Sequence, residues 1–239
     1  LNQLDVARKI TVYSANNVKV LPGTQVCGDT TVNPNCATPA DATAYGAFTN
    51  TVKVYNYYKN VLARLSYNGL DSELRSTVHY GSGFNNAFWN GDQMVYGDGD
   101  TYAQAFDVIA HELTHGVTEY TDNLICEHQS GALNESWSDV MAVFAGCYAA
   151  TGAASCNWLR ADTLGDGAIR DLSDPSRSPL FDPDHMTSYA WLPLEVDNGG
   201  VHSNSGIPNK AAYLLTEGGT FHGITTAGIG YLKAEQIYY

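Results

Sequence analysis

The pentapeptide His111-Glu112-Leu113-Thr114-His115 constrains this chain more than any other feature. Histidines at i and i+4 lie about one turn apart on one face of a helix, so both imidazoles can converge on a single tetrahedral ion. Glu112 points to one side, where it need not ligate and can hold a water activated by zinc. Helical periodicity around the motif predicts a helix from Phe106 to about Glu119. Taken alone, the pattern favours a metal site, the bland alternative being a solvated helix face carrying two ordinary histidines.

Downstream, Asn134-Glu135-Ser136-Trp137-Ser138-Asp139 falls in a second stretch of helical periodicity, from about 131 to 148. Glu135 supplies a third ligand for Zn2+, completing a His111, His115, Glu135 set. Asp139, four residues on and on the same face, is placed to accept a hydrogen bond from a ligand imidazole and fix its tautomer. Asn134 can do likewise for His115. The bland reading of Glu135 and Asp139 is an acidic helix face, but three matched elements in order weigh against it.

Composition narrows the partners. The chain has 239 residues, 44% of them hydrophobic and 15% charged, enough for one large domain or two lobes. A formal charge of -13 disfavours a nucleic-acid backbone or an anionic membrane as partner. Apolar runs such as 140–144 fall far short of the roughly 20 residues that span a bilayer. The opening Leu1-Asn2-Gln3-Leu4-Asp5 lacks the basic and apolar stretches of a signal peptide, as expected of a cytosolic or an already processed protein.

The five cysteines bear on that choice. Cys27 and Cys36, and again Cys147 and Cys156, are spaced for two short disulfide loops, which would place the protein in an oxidising, extracellular setting. The same spacings can arise by chance in a reducing compartment. Cys126 is left over.

The first hundred residues are rich in Thr, Val, Tyr, Asn and Gly and favour strands and turns. Residues 77–80 and 93–96 read as strands and 97–100 as a turn. One helix interrupts them, with Ala44, Ala47, Phe48, Val52, Tyr55, Tyr58, Val61, Leu62 and Leu65 at three- and four-residue steps, ending near Asn68-Gly69. After the second helix, 164–193 is rich in loops and proline, and a further helix runs from Pro208 to about Thr216. Residues 233–239 read as an amphipathic helix. The expected fold is α+β, with a β-rich N-terminal lobe over 1–125 and a mainly α-helical C-terminal lobe over 126–239.

Longer stretches now carry a resemblance. Val78-His79-Tyr80, Asn85-Asn86-Ala87-Phe88-Trp89-Asn90-Gly91, Met94-Val95-Tyr96-Gly97-Asp98-Gly99, residues 107–118 and 130–139, and Asp197-Asn198-Gly199-Gly200-Val201-His202-Ser203-Asn204-Ser205-Gly206 resemble the thermolysin family of neutral zinc metalloendopeptidases. The resemblance runs from about Leu21 onward and implies a zinc cleft between the two lobes. It implies that His202 stabilises an oxyanion and that Asp197 orients it. It implies that Arg170 holds a substrate carbonyl beside an apolar pocket lined by Val108, Ile169 and Tyr102. Asn86 and Ala87 match an edge strand that pairs with substrate backbone. Cleavage of internal peptide bonds before large hydrophobic residues is the implied activity, with protein or peptide substrates, no nucleic acid and no membrane as partners.

The chain also departs from the family pattern. Cys126 stands where a tyrosine donor is common, and 100–106 is short and lacks the glycines linked to hinging. The calcium sites are thinned: Asp107 and Asp162 match, whereas Gly146, Asn157 and Leu159 replace acids, so Ca2+ is expected to be reduced, with the Cys147 to Cys156 disulfide as a substitute staple. The family pattern continues beyond Tyr239, and a cleaved C-terminal segment or a propeptide is an implied partner. A catalytically impaired zinc-containing fragment acting as a binding module is the alternative reading.

Overall fold

The structure, a computed structural model, describes residues 8–31, 33–37, 41–150 and 156–239. The opening stretch discussed above lies outside them. The chain divides into two compact units, one ending at Asp122 and the other beginning at Asn123.

The first unit is built on a mixed five-stranded sheet in the order β2-β1-β3-β5-β4. Its strands are β1 (Ile10–Ser14), β2 (Thr24–Gly28), β3 (Leu74–Val78), β4 (Ala87–Trp89) and β5 (Met94–Tyr96). β1 and β3, and β3 and β5, run parallel, while β2 and β4 pair antiparallel at the two edges. β1 is buried along nearly its whole length, as an inner strand with cover on both faces should be. The Cys27–Cys36 disulfide forms as the spacing suggests.

Helix α1 (Ala42–Leu62) starts at Asp41, whose carboxylate accepts hydrogen bonds from the amides of Thr43 and Ala44. It buries Ala44, Ala47, Phe48, Val54, Tyr55 and Tyr58. It stops short of the expected Asn68-Gly69 because Ala63 turns left-handed at φ 52° and the Arg64 amide closes back on Tyr58 O at 2.9 Å. The strand expected over 77–80 is likewise displaced. β3 begins earlier and ends at Val78, because His79 adopts φ 55° and leaves the ladder.

Residues 97–100 form the expected turn, packed against 84–86. The Gly97 amide donates to Asn86 O at 3.0 Å and that of Gly99 to Phe84 O at 2.9 Å. A Cβ on Gly97 would stand 1.9 Å from Phe84 O, so only glycine permits the approach. Helix α2 (Phe106–Glu119) follows with the predicted bounds. Its Gly116 admits the Trp89 indole of β4 to within 3.0 Å of where a Cβ would be.

The second unit is helical around α3 (His128–Ala149), which begins slightly before the expected 131. α4 (Asp197–Asn204), α5 (Gly206–Glu217) and α6 (Tyr231–Tyr238) all pack on it. Two small antiparallel pairs accompany them, β6 (Leu159–Arg160) with β7 (Arg170–Asp171), and β8 (Gly218–Phe221) with β9 (Ile224–Ala227). Val140, Met141, Phe144, Leu172, Val201, Ala212 and Ala234 form its core. The Trp137 indole donates to Tyr238 O at 2.7 Å and ties α6 to α3. Cys147 and Cys156 join the last turns of α3 to the approach to β6. The architecture is α+β as expected, and no helix among the described residues is long and apolar enough to cross a membrane.

Candidate metal centre and active site

In the first unit, α2 fixes its inward face with Ile109, Leu113 and Val117, all essentially without exposure. Thr114 anchors the helix further, donating to Ala110 O at 2.7 Å and accepting from the Tyr58 hydroxyl at 2.6 Å. With that face held, His111 and His115 are brought together. Their Nε2 atoms lie 3.0 Å apart, with the rings near perpendicular at 87°. Two imidazole nitrogens bound at about 2.0–2.1 Å to one tetrahedral zinc stand roughly 3.3 Å apart, so this pair fits a shared ion with little adjustment. Glu112 is buried between them in sequence, and its proximity adds to burial in pushing the Tyr96 phenol well above its ordinary pKa.

The same unit carries four of the residues implied to meet substrate, Asn86, Ala87, Val108 and Tyr102. Ala87 opens β4, which pairs only with β5 among the described strands and so is a sheet edge. Asn86 is exposed just before it, its side-chain oxygen accepting from the Ala87 amide at 2.9 Å. Val108 is buried on α2, whereas the Tyr102 hydroxyl donates to Asn85 Oδ1 at 2.8 Å.

In the second unit, α3 buries Asn134, Glu135 and Asp139 together. Asp139 has no exposure and is held by more partners than its position on the helix suggests. Arg160 Nε donates to Oδ1 at 3.1 Å, Arg170 Nη2 to Oδ1 and Nε to Oδ2 at 2.6 Å each, and Asn209 Nδ2 to Oδ2 at 3.0 Å. The β6–β7 pair delivers both arginines, because Arg160 and Arg170 are register partners. Burial would lower the Arg170 pKa, but Asp139 reverses this and drives it upward. The Asn134 amide donates to Leu124 O at 2.9 Å, fixing the chain just before α3. Ile169, beside Arg170, is 42% exposed.

His202 and Asp197 share α4, entered through four consecutive left-handed residues: Asp197 (φ 51°), Asn198 (φ 47°), Gly199 (φ 86°) and Gly200 (φ 81°). This run curls Asp197 back so that its Oδ1 meets His202 Nδ1 in a short contact and its Oδ2 accepts from the His202 amide at 2.9 Å. The other ring nitrogen, Nε2, is thereby aimed at Glu135 Oε2, 3.4 Å away. Burial alone would lower the His202 pKa, yet the Asp197 hydrogen bond and the Glu135 charge raise it. Asp197 moves down, burial being outweighed by His202. Cys126 is a free, exposed thiol that meets the Asn198 side chain.

Sequence reasoning found Asp139 and Arg170 separately and missed both their bond and the roles of Arg160 and Asn209. The partners lie 21 to 70 residues from Asp139 in sequence. The only local signal, an arginine in each of two short extended segments, is too weak to find them.

A model of the thermolysin metallopeptidase catalytic domain matches residues 2–119, and one of the thermolysin metallopeptidase alpha-helical domain matches 122–239. The chain therefore belongs to the thermolysin metallopeptidase family. Among its relatives, a thermolysin of Bacillus sp. (strain EA1) is 44% identical over 96% of this chain and 42% of its own length. A bacillolysin of Bacillus cereus is 46% identical over 96% of this chain and 41% of its own. The chain thus spans well under half the length of these relatives. A solved structure of the precursor of protealysin, a metalloproteinase from Serratia proteamaculans, is similar with a TM-score of 0.78 and 36% identity, covering 87% of this chain and 68% of that one.

Proposed function

We propose that this protein is a zinc-dependent endopeptidase whose metal is held by His111, His115 and Glu135. The observation that carries the reading is the convergence of the two Nε2 atoms on α2 in a chain of this family. Two imidazoles and one carboxylate are a donor set of the catalytic zinc type, which leaves a coordination position open. Zinc, when bound, supplies Lewis-acid polarisation of the scissile carbonyl and activation of water.

The residues of the chain supply the rest. Glu112 takes the proton of the attacking water and passes it to the leaving nitrogen. His202, oriented by Asp197, donates from Nε2 to the developing oxyanion. A donor so placed is typically worth about 3–4 kcal/mol. The bonds of Arg170 to Asp139 use Nε and Nη2, and Nη1 is the donor assigned to a substrate carbonyl. Asn86 and Ala87 receive extended substrate backbone on the β4 edge. Val108, Ile169 and Tyr102 line the pocket that selects a large hydrophobic residue after the scissile bond. Asn134 and Asp139 hold α3 and its neighbours in place around Glu135.

Two disulfides support an extracellular, oxidising location and a secreted enzyme acting on proteins or peptides. The precursor nature of the similar solved structure supports a propeptide-regulated form. The test is Glu112→Gln. This variant should retain one zinc per chain by metal analysis while peptide hydrolysis falls by at least about a thousandfold, and chelation should abolish activity of the wild type. Full activity in the variant would remove Glu112 from the mechanism. Bound zinc with no hydrolysis in the wild type would leave a binding module instead.

A further inference from the structure

Segment 189–196, immediately before Asp197, has no regular secondary structure yet is fixed at both ends. The Ala190 amide donates to Asn204 Oδ1 at 2.8 Å, and Ala190 O accepts from Asn204 Nδ2 at 2.9 Å. Asn204 is buried on α4, two residues after His202. At the other end Val196 O accepts from the amides of Gly199 and Gly200 at 3.0 and 3.2 Å. Between these anchors, Leu192 Cδ1 packs 3.1 Å from where a Cβ on Gly200 would be, and buried Tyr189 meets the Trp191 ring at 4.6 Å between centroids.

Apart from Glu195, the side chains that this clamped segment turns outward are apolar. Trp191 is 80% exposed, Leu194 45% and Val196 49%. Large apolar groups held rigidly in water mark an interaction surface, and one already ordered loses little conformational entropy when it binds. The same hydrogen bonds tie this surface to α4, and thus to the Asp197–His202 pair. Its continuity with that pair selects a peptide substrate as the occupant. Exposed Glu195 in the segment sets it against acidic residues.

We propose that Trp191, Leu194 and Val196 form an apolar strip that docks a large hydrophobic residue of the substrate outside the scissile pair. The proposal rests on the reading of His202 as a substrate-facing group. The strip makes the preferred substrate an extended peptide with an apolar residue at one outer position, rather than a short peptide recognised at the scissile bond alone. Trp191 supplies the largest face, and the contact it makes acts in ground state and transition state alike, so it is read in KM.

The test uses zinc-loaded protein and hexapeptides with one fixed scissile pair, Phe or Ser being placed at each outer position in turn. Wild type is expected to favour Phe at one outer position by about tenfold in kcat/KM, mainly through KM. Trp191→Ser and Leu194→Ser should each reduce that ratio to within about twofold. Equal cleavage of Phe and Ser peptides by wild type overturns the proposal, as does a preference that survives both substitutions. A second measurement separates this failure from failure of the peptidase reading. In Glu112→Gln protein, the Phe peptide should bind about tenfold more tightly than the Ser peptide, with a blue shift of tryptophan emission that Trp191→Phe removes. Differential binding without wild-type hydrolysis sinks the peptidase reading and keeps the strip. Equal binding sinks the strip, and so does concentration-dependent dimerisation abolished by Trp191→Ser, which would assign it to a second copy.

Discussion

Asp139 carries a full charge with no exposure, a position that costs several kcal/mol unless every lone pair is used. Two guanidinium groups and the Asn209 amide meet that demand. Removing the carboxylate leaves Arg160 and Arg170 buried without it, so Asp139→Ala should cost about 3–5 kcal/mol in urea unfolding. A loss below about 1 kcal/mol would mean that water replaces the carboxylate freely. His79 makes a different kind of ionic link, bridging Asp98 through Nδ1 at 2.7 Å and the α1 cap Asp41 through Nε2 at 3.0 Å. Burial would lower its pKa, but the two carboxylates raise it. Asp41 is lowered, because His79 and the Ala44 and Thr43 amides outweigh burial. A raised histidine stabilises fully below its unfolded pKa and loses that effect as pH rises through the folded value. A lowered aspartate stabilises above its unfolded pKa and loses it as pH falls. Both effects are present between about pH 4 and 6.5. His79→Gln should therefore lower Tm most near pH 5.5 and progressively less toward pH 9 by calorimetry. An equal loss at both pH values would show that His79 acts by shape alone.

Among the elements, helices were the legible part. The bounds of α2 follow from periodicity because fourteen residues sample nearly four turns of one apolar face. Strands of three to five residues sample too little of a period: β4 and β5 contain three residues each, and β9 is exposed throughout, so no alternation is written in it. The end of α1 was misread because the apolar spacing continues to Leu65, while Ala63, with no glycine to mark it, adopts the left-handed turn. Cysteine spacing was legible for a simpler reason, since a short loop brings its own ends together. The Cys147–Cys156 bond closes a sequence separation of 9. Chain-entropy reasoning gives such a loop about 2–3 kcal/mol. Replacing both cysteines by serine should lower stability by that amount in urea unfolding, and dithiothreitol should lower the wild type by at least as much, since it also opens Cys27–Cys36. An unchanged midpoint would mean that packing of α3 alone holds this corner.

At the scale of the whole molecule, the α+β class and the family were legible, since periodicity and the order of motifs are properties of the one-dimensional sequence. The buried network on Asp139 and the clamped apolar strip were not, because they depend on which loops fold back onto α3 and α4. Net charge is the remaining global property, and it makes its own prediction. Twelve basic residues against 25 acidic ones give -13, so the summed field attracts cationic peptides and repels anionic ones. Salt at about 0.5 M shortens the screening length to roughly 4 Å and removes most of that steering. For two peptides sharing one scissile pair, the one flanked by lysines should lose several-fold in kcat/KM between about 20 mM and 0.5 M salt, through association. The glutamate-flanked peptide should gain, and a neutral peptide should hold nearly constant. The opposite signs matter, because a general salt effect on stability or on the metal would move all three in one direction. If all three move together, the acidic surface serves solubility and takes no part in gathering substrate.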